Sequence, residues 1–179
     1  MQKEEIISQL KGAYRELAQE LQNYSTETCF APEGEKWSMA QHTQHLIQSS
    51  APVASLLKQP KEMIAQFGKP TQAGRSYEAL LALYKSKVLS KSVKAGPPFV
   101  PKMDGITTQE PILSNWAMIE EKLAQRIEEQ WTEEELDNYG IPHPVLGLFS
   151  VREMLFFTIF HTKHHLSSIR RIGAATSTV

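Results

Sequence analysis

Ile6, Ile7, Leu10, Tyr14, Leu17, Leu21 and Tyr24 recur at steps of three and four along the start of the chain, with Lys, Glu and Gln filling the positions between. At 3.6 residues per turn that spacing gathers the apolar side chains on one stripe, so an amphipathic helix is predicted over about residues 3–24. A second helix is predicted from Ser38 to about Leu57, because Ser38-Met-Ala-Gln41 has the reciprocal N-terminal capping pattern. Pro52 lies inside it and should kink or split it, since its ring removes one hydrogen bond and crowds the turn before. A shorter helix is predicted over about Ser76 to Leu89, then a loop over 90–106. Leu113, Trp116, Ile119, Leu123 and Ile127 form the stripe of another helix, about 110–130. The last helix starts at Ser150, where Ser150-Val-Arg-Glu153 repeats the capping pattern, and Gly173 is its expected stop.

No segment alternates apolar and polar residues long enough to predict a strand. Four long helices in one domain, 1–179, imply an all-α four-helix bundle. The first half of the last helix is apolar nearly all round (Met154, Leu155, Phe156, Phe157, Ile159, Phe160), which makes it the element expected to be most buried.

Charge and composition narrow the function. Nineteen Lys and Arg stand against 20 Asp and Glu, for a net charge of -1. Without a surplus of positive charge, nucleic acid and anionic membrane surfaces are disfavoured as partners. No apolar run approaches the roughly 20 residues of a membrane-spanning helix. The acidic N-terminus lacks a signal-peptide pattern. The one cysteine, Cys29, has no internal disulfide partner, and a cytoplasmic location is expected. Cys29 has no basic cluster beside it and reads as a buried or idle thiol. Trp37 is expected to pack over the start of the second helix, and Glu133-Glu134-Glu135 to form the acidic first turn of a short helix. Phosphate-binding, dinucleotide-binding, nucleophile-elbow and paired-cysteine motifs are absent.

The histidines carry the candidate chemistry. There are six: His42, His45, His143, His161, His164 and His165. His161 and His165 are four apart, about 6 Å of rise and about 40° of rotation on a helix, so both rings leave one face and can reach one metal ion. If the second and last helices are neighbours, His45 can supply a third ligand. Three neutral imidazoles would hold a divalent ion and leave it an open position, as in catalytic rather than structural zinc sites. Nickel, manganese and iron suit the same donors. On spacing alone, His164 and His165 could instead be solvated or cap the last carbonyls of their helix.

Trp37-Ser-Met-Ala-Gln-His-Thr-Gln-His45-Leu46 resembles the Trp-Ser…His-Leu block of the DinB/YfiT-like superfamily. His143-Pro-Val-Leu-Gly147, Ser150-Val-Arg-Glu153 and His161-Thr-Lys-His-His165 resemble its C-terminal block. The resemblance covers nearly the whole chain. It implies a four-helix bundle with a divalent metal on His45, His161 and His165, with His42 and His164 as the competing positions. Members resemble thiol S-transferases that use bacillithiol, mycothiol or related thiols, or metal-dependent hydrolases, and are often dimers.

Three functional readings follow. In the first, a metal-dependent transferase, a small-molecule substrate and a low-molecular-weight thiol meet at the ion, which favours the thiolate. In the second, a hydrolase, the ion lowers the pKa of a water toward about 7. It lacks an obvious base, because Glu153 suits a helix cap better. The third is a non-catalytic metal-binding bundle. The substrate pocket is expected between the second and last helices, with the 90–106 loop over it.

Overall fold

The structure is a computed structural model that describes residues 1–70 and 74–176. In chain order its elements are α1 (Lys3–Gln22), α2 (Thr26–Phe30), α3 (Met39–Leu56), α4 (Lys61–Ala65), α5 (Tyr77–Tyr84), α6 (Gln109–Gln130), α7 (Glu133–Asn138), β1 (Gly140–His143), β2 (Gly147–Ser150) and α8 (Val151–Thr176). A π-helical turn, Lys85–Leu89, extends α5, and a 3₁₀ turn covers Pro97–Phe99. The long helices α1, α3, α6 and α8 make the expected four-helix bundle. Each of α1 and α3 packs against both α6 and α8, so α1 and α3 lie on one diagonal and α6 and α8 on the other. The contact between α3 and α8 is what carries the site.

The apolar stripes read from the sequence are the buried faces. On α1 these are Ile6, Ile7, Leu10, Tyr14, Leu17 and Leu21, and on α6 they are Ile112, Trp116, Ile119, Leu123 and Ile127. Each fully buried Leu or Ile contributes roughly 1.5–3 kcal/mol of transfer free energy. Tyr14 and Trp116 stack with ring centroids 3.7 Å apart, and the Trp116 indole N–H donates to the Tyr14 carbonyl at 3.0 Å. That pair fixes α6 against α1. Most of α8 is buried, from Val151 to Gly173, in line with its all-round apolar first half.

Both capping patterns form. The Gln41 backbone N–H donates to Ser38 Oγ, and the Ser38 N–H donates to the Gln41 side chain. At α8, the Ser150 N–H donates to Glu153 Oε2 at 3.0 Å and the Glu153 N–H to Ser150 Oγ at 3.1 Å. Glu153 is fully buried and takes two more charge-assisted bonds from Arg75, at 2.7 and 2.8 Å. It is a cap, as its position suggested, and also an ion-pair partner.

Three local expectations fail for tertiary reasons. Pro52 does not split α3, because the buried Leu46, Ile47, Val53 and Ala54 on either side hold one helix across the lost hydrogen bond. Gly173 does not end α8. It makes room for Tyr24 instead, whose Oη would lie 2.0 Å from a Cβ at that position. A two-stranded hairpin, absent from the sequence reading, pairs Ile141 with Phe149 and His143 with Gly147. Its strands are four residues each and one contains Pro142, too short to show an alternating pattern. Among the described residues, no helix is long and apolar enough to cross a membrane.

Candidate metal centre

His45 sits two turns into α3, and His161 and His165 sit on adjacent turns of α8. The packing of these helices brings the three rings together, and one nitrogen from each lies within 4.8 Å of the others. His161 Nε2 is 3.2 Å from His45 Nε2 and 3.1 Å from His165 Nε2. All three residues are only 6–7% exposed. The apolar stretch of α8 just before them explains the burial, since Phe157 stacks on the His161 ring at 4.8 Å.

The outward nitrogens decide which way the lone pairs face. His45 Nδ1 lies 2.6 Å from the Phe99 carbonyl, which only accepts, so Nδ1 carries the hydrogen and Nε2 is bare toward the cluster. His165 Nδ1 lies 2.8 Å from His42 Nδ1. With His165 donating there, its Nε2 is bare as well. Such outer partners orient the rings of metal-binding histidines. Burial, reinforced by neighbouring imidazoles, pushes His161 and His165 well below the ordinary histidine range. Burial lowers His45 too, so all three rings are neutral.

The donor set fits a divalent ion. One hydrogen on His161 Nε2 can satisfy one neighbour, and its contacts at 3.2 and 3.1 Å cannot both be hydrogen bonds. A tetrahedral ion with ligands at about 2.0–2.1 Å sets the nitrogens about 3.3 Å apart, close to those separations. It would occupy all three lone pairs at once.

A cavity of about 730 Å³ opens beside the cluster. Its wall is mainly apolar: Val53 and Leu56 of α3, Val88 and Phe99 of the segment after α5, Ile141 of the hairpin and Phe157 of α8. Among the described residues, no Asp or Glu lines it, and Lys94 is its one side chain of fixed charge. The segment after α5 does form one side, as expected of the 90–106 loop. It is pinned to α3 by the Phe99 contact and by Gln48 Oε1, which accepts from the Lys102 N–H at 3.0 Å.

The other sequence candidates fall around this centre. His42 stands behind His165, lowered to about 4 by burial and nearby charges. His164 lines the cavity without joining the cluster. Trp37 reaches further than a helix staple, with its ring 5.0 Å from that of His45 and 6.3 Å from that of His165. Cys29 is buried, as expected, and burial pushes its thiol up to about 11. The sequence reading missed the Phe99 carbonyl, which no side-chain pattern reveals. It named His143 without placing it on the cavity wall, and it missed Tyr84 there. The hairpin that presents His143 had no strand signal of its own.

No curated protein matches the chain by sequence. Solved structures similar in fold include the following two. YfiT from Bacillus subtilis, described as "a probable metal-dependent hydrolase with an unusual four-helix bundle topology", superposes with a TM-score of 0.62 at 18% identity, over 98% of this chain and 87% of its own. The colibactin self-resistance protein ClbS, in complex with a dsDNA, gives a TM-score of 0.62 at 18% identity, over 96% of this chain and 95% of its own. At that identity the likeness is one of fold. The ClbS complex overturns the exclusion of nucleic acid drawn from net charge, because a protein of this fold is seen with DNA. A net charge of -1 is a sum that hides distribution. Lys85, Lys87, Lys91, Lys94 and Lys102 fall in a stretch, 79–103, that contains no Asp or Glu. The sequence model of the DinB superfamily matches residues 9–169, and the chain belongs to that superfamily.

Proposed function

We propose that the protein is a metal-dependent transferase that joins a low-molecular-weight thiol to an apolar electrophile, with His45, His161 and His165 as the metal ligands. The observation that carries this reading is the wall of the cavity. It is apolar, holds three neutral imidazole nitrogens at one end, and offers no carboxylate among the described residues. A divalent ion supplies Lewis acidity there, lowering the pKa of a thiol that takes its open position. The chain's own residues do the rest. Phe99 and His42 hold the His45 and His165 rings with their lone pairs inward. The apolar wall keeps water from competing for the electrophile. In the transfer the thiol proton passes to solvent, the sulfur forms a bond to carbon, and the leaving group departs with its electron pair.

The second reading is a hydrolase, favoured by the description of YfiT. Hydrolysis needs a group to take a proton from water, and His143 and His164 are the wall histidines outside the cluster that this role would fall to.

The test incubates zinc-, nickel- or manganese-loaded protein with 1-chloro-2,4-dinitrobenzene and a panel of low-molecular-weight thiols, followed by absorbance. Metal-dependent conjugation is expected with at least one thiol and is expected to fall by more than about 100-fold in His161→Ala, beyond the cost of losing an outer partner. No conjugation above the thiol-alone rate, together with metal-dependent turnover of ester or amide substrates, would replace transfer with hydrolysis.

A further inference from the structure

Among the ionisable rings of the cavity wall that the proposed transfer does not use, His143 is the one whose tautomer the surrounding backbone fixes. His143 ends β1, and its Nδ1 lies 3.2 Å from the backbone N–H of Val145 and 3.1 Å from that of Leu146. A ring nitrogen that accepts two donors must be bare, so the hydrogen of the neutral ring sits on Nε2. The tautomer is therefore set by the hairpin turn itself, where Gly147 adopts a φ of 86°. Burial, which lowers the imidazole to about 4, keeps it uncharged.

The Nε2–H has no hydrogen-bond partner among the described residues. The residue is only half-buried and lines the cavity, so an incoming molecule can reach its ring. The ring packs at 5.2 Å against Phe149 and at 4.5 Å against Phe157, and it lines the cavity. An occupant that displaces water from this donor without supplying an acceptor leaves it unpaired in apolar surroundings, which is costly, and one that supplies an acceptor avoids that cost.

We propose that the Nε2–H of His143 is a ligand-recognition donor, aimed by the hairpin turn at an acceptor oxygen, such as that of a carbonyl or nitro group, on an otherwise apolar substrate. This rests on the cavity being the substrate site, and is independent of the metal. Specificity follows from the asymmetry of buried polar groups: an analogue lacking the oxygen leaves the donor unpaired.

The test titrates metal-free wild type and His143→Asn with acetophenone and with ethylbenzene, which has the same ring but no carbonyl. Binding is followed by the imidazole ¹H–¹⁵N signals and by fluorescence. An Asn side-chain oxygen can still accept from the turn, so the hairpin is kept while the donor is lost. Acetophenone is expected to bind wild type about fivefold more tightly than ethylbenzene, to move the His143 Nε2–H signal, and to lose its preference in H143N. Equal affinities in wild type, or a preference that survives in a folded H143N, overturn the proposal. If H143N does not fold, wild type decides: an unmoved Nε2–H signal, or a hydrogen found on Nδ1, overturns it. A protein that binds neither compound loses this subsite and the cavity reading together. Failure of metal-dependent conjugation, with the carbonyl preference intact, counts against the transferase alone.

Discussion

The two halves of α8 solve the burial of polar groups in opposite ways. At its N-terminal end every charge has a partner of opposite sign. Glu153 is clasped by Arg75, and Arg152 by Asp137 at 2.7 Å and Glu133 at 2.6 Å. About two to three turns further along, His161 and His165 are buried with no charged partner, and their neutral nitrogens crowd one another. The first half is closed by its own residues. The second leaves three ring nitrogens facing one another, an arrangement that could hold a positive centre supplied from outside. One helix thus serves both as clamp and as candidate site, with the buried ion pair fixing the bundle against which the histidines are held.

Breaking the clamp should have the largest effect. Glu153→Ala strands Arg75 and uncaps α8, and should cost about 3–5 kcal/mol of unfolding free energy in denaturant melts. A loss below about 1 kcal/mol would show that the pair contributes little beyond its cap. Loosening the site from behind should do less. His42→Ala keeps all three proposed ligands but removes the partner of His165, so metal affinity should drop roughly 10–100-fold with the melting curve of the metal-free protein nearly unchanged. Isothermal titration with Zn²⁺ measures this, and an unchanged affinity would reduce His42 to a bystander.

The smallest effect is expected in the dependence of stability on pH. His143 has a folded value of about 4 against an ordinary 6.5, so below pH 6.5 the unfolded chain takes up a proton that the folded one refuses. Stability therefore falls as pH drops from about 6.5 toward 4, with a slope of at most about 1.4 kcal/mol per pH unit from this one ring. In the metal-free protein, His143→Asn should remove that share of the slope while the slope from the other histidines remains. Identical slopes in the two proteins would mean that His143 is not held neutral by the fold.

Much of this was legible in the chain. The stripes on α1 and α6 and the caps at Ser38 and Ser150 depend on neighbours within a turn or two, and the structure keeps them. The pairing of His161 with His165 is equally local, since helical geometry alone puts them on one face. The distant partners were not legible. His45 meets His161 across 116 positions of sequence, and Phe99 meets His45 across 54.

Periodicity and capping determined by themselves where the long helices run and that a histidine pair lies at the end of an apolar one, because those properties are set by backbone geometry and near neighbours. Only the tertiary structure decided that α3 lies beside α8, that Pro52 is tolerated and Gly173 is a packing residue, and that a turn holds the hydrogen of His143 on Nε2. Those outcomes depend on which surfaces meet, and the meeting of surfaces is paid for by burial across the whole bundle, which no short stretch of sequence contains.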